Sequence, residues 1–202
     1  MRSLAALGGG ALLLVSIAWT ANAPGTDEPV FIKAPMVCSR GPDEQYFETH
    51  VTIPAMASPG STYAVRIQAA PSPKISGIGL NYLHDILTDF YLPEGASYVA
   101  GSARLVDGTG SENVRPGARA LYDRGFVRLY LPGHVEKGST FTPPGIEFQL
   151  KVTAAPGASL PIRWVRHRVT ANVFFVGNLD IVCAPQSGAL ILGTTVVTPP
   201  PP

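Results

Sequence analysis

The sequence predicts an all-β protein, a single immunoglobulin-like β-sandwich of about nine strands that follows an N-terminal signal peptide. Apolar and polar residues alternate through most of the chain, as they do in strands, instead of recurring at helical spacing. Turn-forming residues are dense, with 21 Gly and 20 Pro among 202 residues. A proline inside a helix costs about 3 kcal/mol, so this density disfavours a helical bundle. An uncharged segment near the start has the layout of an export signal.

That segment, residues 1–23, is the predicted signal peptide. Arg2 supplies one basic charge before an uncharged stretch from Leu4 to Trp19, and Ala21-Asn22-Ala23 offers the small residues that a signal peptidase reads. The apolar stretch is shorter than the about 20 residues of a spanning helix. An uncleaved N-terminal anchor is the alternative, because Pro24 is unfavourable directly after a cleavage site. In both cases the sequence predicts an exported protein, either secreted or associated with the cell envelope.

After the signal peptide, one folded domain is predicted between two proline-rich segments. Residues 24–37 lack clear periodicity and are predicted to form a linker or a loosely docked arm. The β-sandwich domain is predicted over residues 38–197, a length sufficient for one hydrophobic core, with no internal repeat and no second domain. Residues 198–202 end in four prolines and are predicted to form an extended tail.

Within this domain, period-two alternation marks the individual strands. It is clearest in residues 145–152, where Ile146, Phe148 and Leu150 share one face. Residues 80–92 fit both a helix and a strand, and the strand is preferred because Pro93-Glu94-Gly95 ends the segment and strands surround it. The predicted strands are residues 46–53, 63–69, 80–92, 97–105, 126–131, 145–152, 162–169, 173–182 and 189–197.

The only two cysteines, Cys38 and Cys183, lie near the two ends of the predicted domain. In an exported protein they are predicted to form a structural disulfide that ties the first strand to a late one. Two buried free thiols are the alternative. A metal site is disfavoured, because neither cysteine has a second Cys or a His at ligand spacing.

Several turn and strand motifs carry a resemblance to a known family. They are Cys38, Pro59-Gly60, Tyr91-Leu92-Pro93-Glu94-Gly95-Ala96-Ser97-Tyr98-Val99, Leu131-Pro132-Gly133, Lys137-Gly138-Ser139-Thr140-Phe141-Thr142-Pro143-Pro144 and Cys183. The frame resembles a group of small secreted proteins of mycobacteria and related actinobacteria, and it covers the chain from Cys38 to Val197. The resemblance implies an immunoglobulin-like sandwich of unknown function; some members carry the label "cyclase" without an evident chemical basis. The basic strand near Arg163 is not part of that pattern.

Catalytic and cofactor motifs are absent from the sequence. It contains no Gly-x-Ser-x-Gly elbow, no His-Glu-x-x-His zinc motif and no phosphate-binding Gly-x-x-x-x-Gly-Lys loop. His84 is the only histidine with an adjacent carboxylate, and in a strand it is expected to point away from Asp85. Asp107-Gly108 is predicted to be a turn rather than part of a calcium loop, because Thr109 and Ser111 stand where such a loop needs Asp or Asn. No cofactor and no metal are therefore predicted.

The segment Arg163-Trp164-Val165-Arg166-His167-Arg168 is the candidate anion-binding site. Strict alternation places Arg166 and Arg168 on the face of Trp164, and Arg163 on the other face. Guanidinium groups make bidentate contacts with phosphates and carboxylates, so Arg163, Arg166 and Arg168 could hold an acidic envelope lipid or glycan. Alternatively, they pair with nearby carboxylates on a solvated sheet face.

A second candidate site is an apolar pocket between the two sheets, lined by Tyr82, Ile86, Phe90 and Phe174. Such a pocket would make the protein a carrier of a lipid or other apolar molecule. Each of these side chains also fits a simple role in the core. Phe174 and Phe175 are adjacent, so a strand would place one ring on each face, and one of the two rings would need a cover.

The leading prediction is a non-enzymatic exported module that acts by binding or by its presence at the cell surface. A carrier of an apolar molecule is the first alternative and an enzyme of unknown reaction is the second. An envelope lipid, a glycan or another surface protein is the expected kind of partner. Nucleic acid is disfavoured, because 15 Lys+Arg against 14 Asp+Glu leave a net charge of only +1.

Overall fold

The computed structural model describes residues 28–40, 45–108 and 117–200, and all of their regular structure is β-strand. The predicted signal peptide lies outside the described residues. The described strands are β1 (Val30–Cys38), β2 (Gln45–Thr52), β3 (Met56–Ala57), β4 (Thr62–Ala69), β5 (Leu80–Tyr91), β6 (Ala96–Tyr98), β7 (Arg104–Val106), β8 (Arg119–Asp123), β9 (Phe126–Leu131), β10 (Val135–Glu136), β11 (Gly145–Val152), β12 (Ser159–Val173), β13 (Gly177–Pro185) and β14 (Leu190–Val197).

The strands form two facing layers, which confirms the predicted all-β sandwich. The continuous hydrogen-bonded order is β6-β11-β4-β2-β1-β13-β12-β5-β9-β8, and it folds over at β1. Strand β1 pairs with β2 along most of its length, and with β13 only at residues 36–38. The first layer therefore holds β6, β11, β4 and β2, and the second holds β13, β12, β5, β9 and β8. Strand β14 extends the second layer beside the first half of β12.

The core lies between the layers, where apolar side chains from both of them interdigitate. Trp164 of β12 is fully buried and stacks on Phe47 of β2, with ring centroids 4.1 Å apart and ring planes 6° from parallel. The alternation predicted for residues 145–152 is confirmed, because Ile146, Phe148 and Leu150 are all fully buried. The apolar faces of both layers are thus removed from water, which is the main favourable term in folding.

The predicted disulfide is confirmed. Cys38 at the end of β1 is bonded to Cys183 in β13, with an S–S distance of 2.00 Å, and the two residues are register partners across the strands. The bond joins positions 145 residues apart. It also fastens β1 to the second layer at the place where the hydrogen-bonded sheet passes from one layer to the other.

The prediction of a loosely docked arm over residues 24–37 is wrong from Val30 onward. Val30–Cys38 is a regular strand, and its register with β2 runs from Val30 opposite Val51 to Met36 opposite Gln45. Pro29 and Pro35 obscure the alternation in the sequence. Pro35 nevertheless takes a place in the strand opposite Tyr46, and Ala34 beside it is buried.

Other strand boundaries also differ from the prediction. The single strand predicted over residues 97–105 is divided into β6 and β7, with a turn at Ala100 and Gly101 where Gly101 has a φ of 74°. Residues 170–172, predicted to separate two strands, continue β12 as far as Val173. The structure has 14 described strands where nine were predicted. Four of the additional strands, β1, β3, β8 and β10, were not predicted, and the fifth arises from the division into β6 and β7.

His167 occupies a largely buried position in β12 and gives a stability prediction. Its Nδ1 lies 3.0 Å from the Thr88 hydroxyl, and burial lowers the pKa of the imidazole to about 4. The unfolded chain takes up this proton near pH 6.5 and the folded chain does not, so stability falls as pH decreases from 6.5 to 4. At pH 4.5 the loss is expected to be about 2.5 kcal/mol relative to pH 7. Urea unfolding at both pH values measures it, and His167→Gln should lose much less. An equal loss in the variant and the wild type would contradict this assignment.

Candidate functional site

The outer surface of the second layer carries a group of charged side chains in cross-strand rows. Along β5, Ile86, Thr88 and Phe90 face the core, so the residues between them face outward. Directly opposite residues of paired strands share a face, and the register defines three outward rows. The rows are Arg163-Tyr91-Phe126-Asp123, Arg166-Asp89-Arg128-Leu121 and Arg168-Leu87-Tyr130-Arg119. We refer to this surface as the arginine face.

The three predicted anion-binding arginines lie together on the arginine face. The expectation that Arg166 and Arg168 share a face with Trp164 is wrong. Val165 is an extra residue in β12, because Trp164 pairs with Phe90 while Arg166 pairs with Asp89. This β-bulge turns Trp164 into the core and brings Arg163 to the same side as Arg166 and Arg168.

The central feature of the face is a buried carboxylate held by two arginines. Asp89 is fully buried, and its Oδ1 accepts a hydrogen bond from Nε of Arg128 at 2.5 Å. Its Oδ2 accepts hydrogen bonds from Nη2 of Arg128 at 3.2 Å and from Nε of Arg166 at 2.6 Å. Asp89 therefore engages Arg166 through Nε alone, and 51% of the Arg166 side chain remains exposed. A single negative charge thus fixes two guanidinium groups.

A second network surrounds Asp85, and it corrects another expectation. Between two register pairs, Leu87–Arg168 and His84–Thr170, β5 advances by three residues and β12 by two, so β5 contains an extra residue and Asp85 forms a β-bulge with a φ of 48°. The bulge brings His84 and Asp85 to the same side, with Nδ1 and Oδ2 2.9 Å apart. The prediction that the two side chains point apart is therefore wrong.

The Tyr130 hydroxyl completes this network by donating a hydrogen bond to Oδ1 of Asp85 at 2.5 Å. That hydrogen bond is the main reason why the pKa of Asp85 is lowered and the pKa of Tyr130 is raised. The remaining ring nitrogen of His84, Nε2, is buried and has no hydrogen-bond partner among the described residues. The His84 ring is therefore placed to orient Asp85 through Nδ1.

The balance of charge on the face is positive. Asp123 at its edge pairs with Arg124 of the adjoining turn at 3.8 Å. Apart from that pair, the three rows contain five arginines and one aspartate, Asp89. Two further aspartates, Asp85 and Asp180, adjoin the rows. Arg168 lies 3.6 Å from Asp180, and Arg119 lies over the Tyr130 ring, 4.7 Å from its centroid. Arg163 makes no ion pair with any described residue. Two positive charges are thus left over on a chain whose net charge is +1.

The residues predicted to line an apolar pocket are not brought together. Ile86 and Phe90 are buried in the core, Tyr82 lies on the outer side of β5 near His134, and Phe174 is exposed. The expectation of one ring on each face at Phe174-Phe175 is also wrong, because both residues belong to the turn between β12 and β13. The carrier alternative therefore gains no support from these side chains.

Other candidate chemistry is sparse in the described part of the chain. His134 pairs with Glu136 at 3.0 Å, and both side chains are more than half exposed. Asp107 and Gly108 have φ values of 49° and 97°, which agrees with the predicted turn, and Asp107 forms an ion pair with Arg66. Residues 109–116 lie outside the described residues. Within residues 28–40, 45–108 and 117–200, no three potential ligands stand close enough to hold a metal ion, and no helix is long and apolar enough to span a membrane.

Three residues that organise the face, Asp89, Arg128 and Tyr130, are not among the site residues predicted from the sequence. A usable signal exists in each strand. Asp89 is the one carboxylate in the otherwise uncharged run Ile86–Leu92, and Arg128 is the one charge in Phe126–Leu131. Opposite charges at such positions in neighbouring strands indicate a cross-strand pair.

Comparison with known proteins identifies the fold and no family. The sequence matches no protein-family model and no curated protein. A protein of Corynebacterium diphtheriae, described as membrane anchored, is similar in structure with a TM-score of 0.54 and 12% identity. The similarity covers 85% of this chain and 38% of that one, so this chain spans well under half of its length. At this identity the likeness shows a shared fold.

Two collagen-binding domains show weaker similarity. The domain of a Staphylococcus aureus adhesin has a TM-score of 0.34 and 12% identity, over 66% of this chain and 87% of that one. The domain of an Erysipelothrix rhusiopathiae surface protein has a TM-score of 0.36 and 8% identity, over 86% and 61%. At scores this low, a common fold does not follow.

Proposed function

We propose that this chain is an exported, non-enzymatic binding module of the cell envelope or the extracellular space, and that its arginine face binds an oxyanion. The ligand group is a phosphate, sulfate or carboxylate carried by an envelope glycan or a lipid headgroup. The N-terminal segment and the resemblance to small secreted actinobacterial proteins support export. The observation that carries the proposal is that Asp89 fixes two guanidiniums while leaving the Nη groups of Arg166 unengaged by it.

Preorganised arginines suit this task for a physical reason. An exposed arginine loses rotamer entropy when it binds a ligand, and one already held through Nε loses less. Arg163 and Arg166 stand in adjacent rows, about 7 Å apart along the strand, a spacing that one oxyanion can bridge. The planar guanidinium donates two parallel hydrogen bonds to phosphate or carboxylate, so the face favours such groups over a diffuse negative charge.

Removal of two face arginines should weaken binding, and removal of two basic residues elsewhere should not. We expect Arg163→Gln/Arg166→Gln to bind a heparin oligosaccharide at least about tenfold more weakly at low salt, since each charge-assisted hydrogen bond contributes about 1.5–3 kcal/mol. Arg104→Gln/Lys151→Gln is the matched control, because it removes the same charge from two exposed residues of the other layer. Isothermal titration calorimetry measures both variants.

A parallel titration with a short-chain phosphatidic acid, kept below its micelle concentration, distinguishes the two sources of the oxyanion. Binding of the oligosaccharide alone would assign the ligand to glycans, and binding of the phosphatidic acid alone would assign it to lipid headgroups. Equal weakening in the face variant and the control variant would mean that only net charge matters, and the proposed site would be abandoned.

A further inference from the structure

A cluster of exposed apolar side chains stands at the end of the β12–β13 hairpin, apart from the arginine face. It consists of Ile78, Phe174, Phe175 and Val176, which we call the apolar tip. Phe175 exposes 95% of its surface and Ile78 is fully exposed, while Phe174 and Val176 are more than half exposed. Single exposed apolar residues are ordinary, but four large ones on two touching turns form a patch that indicates a binding partner.

Backbone hydrogen bonds fix the two turns of the tip. Val173 pairs with Gly177, so the loop has three residues, and the Val176 N–H donates to the Val173 carbonyl at 3.1 Å. The Phe174 N–H donates to the Gly79 carbonyl at 2.7 Å, which fastens the neighbouring turn that carries Ile78. These hydrogen bonds reduce the number of backbone groups that would lose water in the interfacial layer of a membrane.

Phe175 adopts a backbone conformation that glycine or asparagine would adopt more readily. Its φ is 63°, in the left-handed region, which is an outlier for a bulky residue. The Phe174 and Phe175 rings lie with centroids 4.0 Å apart and neither is covered by the domain. A bulky residue with an unfavourable backbone conformation and a fully exposed ring indicates that the ring contacts a binding partner.

We propose that the apolar tip inserts into the interfacial layer of a lipid bilayer. A folded protein partner is disfavoured by size, because a stable protein interface takes about 20–30 residues from each side and the tip offers four. The same argument disfavours a second copy of this chain. The tip is also convex, at the end of a hairpin, and aromatic and aliphatic residues of this kind partition into the membrane interface.

The charges around the tip agree with a lipid surface. Residues 74–79 and 173–178 contain one charged side chain, Lys74, and no carboxylate. The Lys74 side chain lies beside Gly138, and the neighbouring, exposed Lys137 donates its N–H to the Asn81 carbonyl, so two lysines lie close to the turn that carries Ile78. The carboxylates nearest in sequence to these two segments are Asp85 and Asp180, and both are engaged: Asp85 accepts a hydrogen bond from Tyr130, and Asp180 accepts one from Thr170 and lies beside Arg168. Glu136, next to Lys137, pairs with His134.

The register also places the tip at the opposite end of the sandwich from Val30 and Val197. Strand β13 runs away from the tip, and β1 continues in the same direction from Cys38 to Val30. Strand β14 ends opposite Ser159, at the start of β12, whose other end is Val173. The tip is therefore roughly 40 Å along the sheets from Val30 and from Val197. The first and last described strands therefore leave the tip accessible to a membrane.

A site-specific fluorescent probe tests the insertion directly. The probe is Phe175→Trp in a Trp19→Phe background, in which buried Trp164 is the only other indole. With phosphatidylcholine vesicles we expect a blue shift of the emission and quenching by lipids brominated on the acyl chain. Phe31→Trp in the same background is the control, because Phe31 is an exposed aromatic residue on β1. A Phe175→Trp emission that vesicles leave unchanged would overturn the proposal.

Vesicle partitioning of full-length variants provides the second arm. Phe174→Ser/Phe175→Ser should partition at least about tenfold less than wild type, the amount expected from burying one large apolar side chain. Phe31→Ser/Met56→Ser removes two exposed apolar residues elsewhere and should partition like wild type. Equal losses in both double variants would overturn the assignment to the tip. Both double variants retain every arginine of the arginine face, so a difference between them does not depend on the proposed oxyanion site.

Discussion

Reduction of the Cys38–Cys183 disulfide is expected to lower the free energy of unfolding by about 5 kcal/mol, the loop-closure entropy of so long a loop in the chain-entropy model. The bond spans 145 residues and fastens β1 to β13 where the sheet passes between layers. Such a loss is comparable to the whole stability of many domains of this size, so the reduced protein should be largely unfolded at moderate temperature. Urea unfolding with and without reductant measures the difference.

A matched variant separates the bond from other effects of the reductant. Cys38→Ser/Cys183→Ser should be as unstable as the reduced wild type and should not respond to reductant, because the chain has no other cysteine. Thiol titration establishes that reduction is complete. An unchanged melting temperature in the fully reduced protein would refute a stabilising role for the bond.

Asp89→Asn is expected to destabilise the protein by about 3 kcal/mol, the second large effect. The amide preserves the shape of the side chain but removes the charge that holds Arg128 and Arg166 together, and breaking one partner of a buried ion pair costs about 3–5 kcal/mol. The lower end applies because both arginines are partly exposed and remain hydrated on one side. Equilibrium unfolding at pH 7 measures the loss.

Asp180→Asn is the control for this substitution. Asp180 is an exposed aspartate on the same surface, it also lies beside an arginine, and the pair is separated by 3.6 Å. Exposed pairs contribute less than about 1 kcal/mol, so this variant should unfold close to wild type. If the two variants were equally stable, Asp89 would have no special role in ordering the arginines.

The fold was predictable because sandwich strands have one dry face and one wet face. Residues 145–152 show this most clearly, and Ile146, Phe148 and Leu150 lie in the core as expected. The disulfide was predictable because two cysteines in an exported chain allow a single connectivity. Strand β1 was missed because Pro29 and Pro35 mask its alternation, and the pairing that defines it comes from β2.

The candidate site was predictable only in part, because β-bulges change which side chains share a face. The extra residue at Val165 moves Trp164 inward and unites Arg163 with Arg166. The extra residue at Asp85 brings it to the side of His84. A bulge depends on the register of the neighbouring strands, and a single strand taken alone gives no sign of it. The turn at Phe174-Phe175 was not predicted either, because adjacent apolar residues are more typical of a strand than of a turn.

Arginine side-chain NMR is the sharpest test of oxyanion binding at the arginine face. The Nε–Hε resonances of individual arginines are followed while a heparin oligosaccharide is added. We expect saturable shifts at Arg163 and Arg166, smaller shifts at Arg128, and none at Arg66 or Arg104. Shifts spread evenly over all exposed arginines, or the absence of shifts at Arg163 and Arg166, would contradict the proposed site.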